Sequence, residues 1–158
     1  MFNSGDYVLY NYNVCKIRKV ETIHDHEYYV MSPVEDDSLV VKVPLVSQDK
    51  LLKHIMSKEE SLSLIEKIPD IEEITVQDHA LENEYKHLMT TGNREDLVKI
   101  IKTTYTRNKF RKDNGKKAGE KDSNYFNLAE KALYNEIGVS LGMSFNETKE
   151  YIINSLNR

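Results

Sequence analysis

Tryptophan is absent from this chain, cysteine occurs once, and 158 residues hold only three prolines and six glycines. A single cysteine excludes an internal disulfide and any zinc site built from several thiolates, which leaves Cys15 as a small strand hydrophobe. Apolar runs extend over a few residues only, too short for a helix that crosses a bilayer. The start, Met1-Phe2-Asn3-Ser4-Gly5-Asp6, lacks a basic stretch followed by an apolar one, so the expectation is a cytoplasmic protein with no membrane partner. A cationic excess is also missing, the formal net charge being −4.

What remains, 39% apolar and 30% charged residues, suffices for a buried core in one domain or two small ones. The charge is unevenly distributed. From Met56 to Leu97 four Lys or Arg face eleven Asp or Glu, whereas from Val98 to Lys121 nine face two. Electrostatic capture of a polyanion depends on such local charge rather than on the total. Two solvated helix faces are the competing explanation of the same pattern.

The first third is rich in β-branched and aromatic residues at Tyr7–Tyr10, Val14–Thr22, Glu27–Met31 and Ser38–Val46. Turn chemistry separates these runs at Asn11 and Asn13, at His24-Asp25-His26, and at Pro33 with Glu35-Asp36-Asp37-Ser38. Four or five short antiparallel strands are expected to form a small SH3-like or Tudor-like barrel over residues 1–54. Such a sheet seldom closes fully, and a surviving edge offers backbone donors and acceptors to a partner strand.

After Ser57 the apolar period changes from two to about 3.6, predicting an all-α domain over residues 55–158. Helices are expected near residues 57–68, 76–91, 93–112, 123–138 and 144–156. Ser57 with Glu60, Thr75 with Asp78, and Ser144 with Glu147 resemble capping boxes, and Gly92 and Gly115 fit helix ends. The fold class is thus α+β, a β module followed by about five helices.

On the helix near residues 93–112, Leu97, Ile100, Ile101 and Thr104 form one stripe that should pack inward. Lys102, Tyr105, Lys109 and Lys112 form a second stripe, whose like charges repel weakly and would be relieved by a phosphate backbone. The loop Asn114-Gly115-Lys116-Lys117-Ala118-Gly119 adds cations, but it is no Walker motif. For Tyr105 the bland alternative is a half-buried cap on the helical core.

The histidines suggest a metal or a base only superficially. Neighbours in His24-Asp25-His26 diverge in a turn, and His79 and His87 are about 12 Å apart along a helix, too far for joint ligation. No nucleophile, base and orienter trio can be assembled, so neither an enzyme nor a cofactor is expected.

Gly5-Asp6-Tyr7-Val8-Leu9-Tyr10 and Val41-Lys42-Val43-Pro44 resemble the opening and closing strands of the CarD family's polymerase-interacting domain. Glu84-Tyr85-Lys86, Thr91-Gly92-Asn93, Tyr105-Thr106-Arg107-Asn108, and Glu120-Lys121 before Leu128-Ala129-Glu130-Lys131-Ala132 resemble its helical half. The motifs keep the family's order over most of the chain. The resemblance implies a Tudor-like domain that adds a strand to the RNA polymerase β subunit, and a helical domain that touches upstream promoter DNA at the fork, in the minor groove and without reading sequence. It assigns the polymerase contact to Val40, Val41, Lys42, Val43 and Pro44, with Ile23 where some members carry Arg. It assigns the DNA contact to Lys102, Tyr105, Thr106, Arg107, Lys109, Lys112, Lys116 and Lys117. CarD-type members typically wedge a tryptophan into the minor groove, and here Tyr105 stands at that position. A transcription-initiation regulator that alters open-complex stability is therefore expected, nucleoid-associated through the polymerase. The alternative is a polymerase-binding adaptor whose helices recruit a protein rather than DNA. A monomer is expected, a domain-swapped dimer being conceivable for a barrel with a free edge.

Overall fold

The computed structural model describes residues 1–156, which form two compact units divided between Ser57 and Lys58. The first unit contains β1 (Tyr7–Tyr10), β2 (Asn13–Ile23), β3 (His26–Pro33), β4 (Val41–Pro44), a 3-10 turn (Leu45–Ser47), α1 (Gln48–Leu51) and β5 (Leu52–His54). All pairings are antiparallel, in the order β4-β3-β2-β1-β5. The barrel expectation is corrected to an open sheet, because β4 and β5 each have a neighbour on one side only.

Local chemistry accounts for this outline. His24 and Asp25 both adopt positive φ, 49° and 65°, and link the paired residues Ile23 and His26, the left-handed geometry that a two-residue hairpin requires. The register slips between Ile17 and Lys19, so Arg18 is the extra residue of a bulge. The strand expected over Ser38–Val46 shrinks to Val41–Pro44. At one end the Asp36 carboxylate accepts the Ser38 N–H at 3.0 Å and holds a turn, and at the other Pro44 supplies no N–H before the 3-10 turn.

Phe2, Val8, Cys15, Ile17, Tyr29, Met31, Val43 and Leu52 fill the core of this unit. The Tyr29 hydroxyl accepts the Phe2 N–H at 3.1 Å and donates to Gln48 Oε1 at 3.0 Å, fastening the N-terminus and α1 to the sheet. Burial pushes the Cys15 thiol up to about 11, which keeps it protonated and inert at neutral pH.

The second unit comprises α2 (Lys58–Lys67), a 3-10 turn (Ile68–Asp70), α3 (Asp78–Thr91), α4 (Arg94–Asp113), α5 (Glu120–Leu141) and α6 (Phe145–Leu156). The stripe Leu97, Ile100, Ile101 and Thr104 is buried as its spacing predicts. It meets the apolar face of α5 that carries Ala129, Leu133 and Ile137. Gly92 ends α3 in the left-handed conformation, φ 70°. Ser144 and Glu147 form the reciprocal box at the start of α6, each backbone N–H bonded to the other's side chain at 3.1 Å. The Thr75–Asp78 box is overturned: Gln77 is the N-cap of α3 and makes no side-chain cap bond, while Asp78 pairs with Arg107. No helix among the described residues is long and apolar enough to cross a membrane.

Candidate partner-binding surfaces

β4 is paired to β3 alone, from Tyr28–Pro44 to Met31–Val41, and its other side is open. A strand so placed directs alternate backbone groups outward, where an added strand can bond them. Leu39 and Val40, just before it, are 53% and 58% exposed, whereas the Val43 side chain belongs to the core and contributes backbone only. Val41 and Pro44 are half-buried. Lys42 projects to solvent and meets Glu21 at 3.4 Å, an exposed pair that contributes little to stability. Ile23 lies beyond the last β3–β4 pair, at the hairpin tip, and so apart from the open edge.

The second stripe on α4 divides according to what each side chain touches. Lys102 turns inward and donates to the carbonyls of Ile68 at 2.7 Å and Ile71 at 2.6 Å, with Pro69 at 3.4 Å. It therefore caps the end of the 3-10 turn after α2, adding a charged donor to the Ile68 carbonyl, which also accepts the Ile71 N–H at 3.2 Å. Replacing Lys102 with alanine is expected to lower stability by about 1–3 kcal/mol, read from a urea titration.

Arg107 is likewise engaged. Its Nε donates to Asp122 at 2.8 Å and an η nitrogen to Asp78 at 3.1 Å, while Arg111 reaches the same Asp122 oxygen at 2.6 Å. The Tyr85 hydroxyl donates to the other Asp122 oxygen at 2.8 Å. Burial pushes the Asp122 carboxyl upward, but hydrogen bonds from Arg107, Arg111 and Tyr85 outweigh it and hold the group below the ordinary carboxylate range. Burial and the neighbouring carboxylate together push the Tyr85 phenol up. These side chains fasten α3, α4 and the start of α5 to one another. Arg111 was not singled out from the sequence, although its place one turn after Arg107 is the signal that two guanidinium groups share a face.

Free cations cluster farther along. Lys109 and Lys112 on α4, and Lys116 and Lys117 after it, are exposed and in no ion pair among the described residues. Thr106 is exposed on the same helix. Tyr105 is half-buried beside Phe126, their ring centres 6.4 Å apart, in a groove of about 460 Å³ that Lys109, Lys112, Lys149 and Ile153 also line. Lys149 pairs with Glu130 at 3.4 Å. Phe110 is 68% exposed between Lys109 and Arg111. Neither Phe110 nor Phe126 was predicted as a site residue, since an aromatic in a helix is ordinarily assigned to a core. Phe126, on α5, adds a ring to the groove beside Tyr105, and Phe110 presents a separate exposed ring near the end of α4.

No three His, Cys, Asp or Glu side chains among the described residues are placed to hold a metal ion. No protein-family model matches the chain, and no curated protein matches it.

Proposed function

We propose that the chain is a transcription-initiation regulator of the CarD type, with a Tudor-like N-terminal unit. In this reading β4 adds to an edge strand of the RNA polymerase β subunit, and the end of α4 binds upstream promoter DNA and shifts the stability of the open complex. The observation that carries it is the open β4 edge preceded by the exposed Leu39 and Val40. The free cations Lys109, Lys112, Lys116 and Lys117 supply the phosphate-binding half of the reading. Tethering to the polymerase raises the local concentration of that patch at DNA, so a protein of net charge −4 can use it despite weak intrinsic affinity.

Titration calorimetry of the full chain against the isolated β-subunit lobe tests the docking. Wild type should bind, and Lys42→Glu should weaken binding about tenfold through repulsion, with an unchanged circular dichroism spectrum. Absence of wild-type binding would defeat the proposal.

A second reading, in which the helices recruit a protein, draws on the inward engagement of Lys102 and Arg107 and on the exposed Phe110. It predicts binding that survives removal of the α4 cations.

A further inference from the structure

Tyr7, Lys16 and Ser32 lie in one cross-strand row, since Tyr7 pairs with Lys16 on β1–β2 and Lys16 with Ser32 on β2–β3. The row lines a cleft of about 670 Å³, together with Arg18, Val34 and Asp37. Ser32 is 2% exposed, and its hydroxyl has no hydrogen-bond partner among the described residues. A buried hydroxyl left unpaired is unfavourable, so such a group in the wall of an open cleft points to a ligand atom. The charge of the two cations is also left unneutralised by a carboxylate. The Lys16 ammonium lies 5.7 Å from the centre of the Tyr7 ring, and Arg18 gives one bond, at 2.8 Å, to the Asp37 carbonyl. Neither has a carboxylate in ion-pair range among the described residues.

We propose that this cleft binds a short peptide segment of a partner protein through an acidic residue next to an apolar one. The chemistry is that of a carboxylate receptor. Lys16 and Arg18 supply charge, Ser32 supplies a donor that no internal acceptor uses, and all three suit an oxygen anion. The cleft is far larger than one carboxylate, and the flanking Tyr7 and Val34 surfaces are apolar, so a free ion would leave most of it wet. The site is independent of the polymerase and DNA reading.

The test is an amide NMR titration of the full chain with the capped dipeptide Glu-Leu, with capped Gln-Leu, and with sodium acetate. Glu-Leu should shift the amides of Tyr7, Lys16, Ser32 and Val34, while Gln-Leu should bind about fivefold or more weakly. Lys16→Glu should abolish the shifts. Ser32→Ala should weaken binding about threefold while leaving the melting temperature equal to or above that of wild type, because no internal bond is lost. No shifts from Glu-Leu, equal binding of Gln-Leu, or full affinity in Ser32→Ala would each overturn the proposal. Acetate producing the same shifts at the same concentration would show that the apolar neighbour contributes nothing, and would overturn the peptide assignment.

Discussion

Replacing Asp122 with alanine is expected to destabilise the helical unit by about 3–5 kcal/mol, because two guanidinium groups and a tyrosine hydroxyl lose the one carboxylate they share. The effect exceeds that of an ordinary surface pair because Asp122 is 4% exposed and cannot be replaced by water without reopening the packing of α3, α4 and α5. Urea unfolding followed by helical circular dichroism measures it. A loss below about 1 kcal/mol would mean that the cluster is solvated and does not organise the unit. The pH dependence follows from the same contacts. A carboxyl held below its ordinary range contributes stability that is fully present above that range. It is lost as the pH falls through the depressed value. Wild type should therefore lose stability below about pH 4, and Asp122→Asn, already lacking the charge, should show a shallower acid limb.

The quadruple change Lys109→Glu, Lys112→Glu, Lys116→Glu, Lys117→Glu is expected to reduce affinity for duplex DNA on the order of a hundredfold or more at low salt. The slope of log affinity against log salt should fall by up to about 3–4. Each neutralised phosphate contact removes nearly one unit of slope, and all four side chains are free of ion-pair partners among the described residues. Fold and stability should hardly change, which separates this outcome from that at Asp122. If the variant binds DNA like wild type, or if wild type shows no salt-dependent binding, the α4 surface is not a DNA contact. Polymerase binding retained together with capture of a protein through Phe110 would then favour the adaptor reading.

The two predictions rest on side chains that sequence alone could not sort. The helix later found as α4 was legible from its 3.6-residue period, and Leu97, Ile100, Ile101 and Thr104 pack as that period requires. Periodicity assigns a direction on one helix, however, and says nothing of what a neighbouring element offers there. Lys102 shares a stripe with Lys109 and Lys112, yet the 3-10 turn at Ile68–Asp70 and the residue after it place carbonyls within its reach. Arg107 differs from a free cation because Asp122, fifteen residues later, and Asp78, on the preceding helix, come to lie beside it. Such pairings are tertiary and leave no local trace.

The β unit shows the same division. The hairpin at His24-Asp25 was readable because its turn chemistry is local, and so were Tyr7–Tyr10 and the central strands. β5 was missed, since three residues, Leu52–His54, are too few to display an alternation, and their pairing with β1 is decided across some forty positions. That β4 is an edge follows from strand order, which no run of residues encodes by itself.

The segment between α4 and α5 has a further consequence. The Lys116 N–H bonds to the Arg111 carbonyl at 2.8 Å, the Gly115 N–H to that of Lys112 at 3.0 Å, and the Gly119 N–H to Asn108 Oδ1 at 2.8 Å. A loop whose backbone is already bonded at both ends has little conformational entropy left to lose when an anion arrives. Lys116 and Lys117 would thus meet an anion from a pre-set backbone, with only their side chains to immobilise, and their attraction need not be consumed in ordering the chain that carries them.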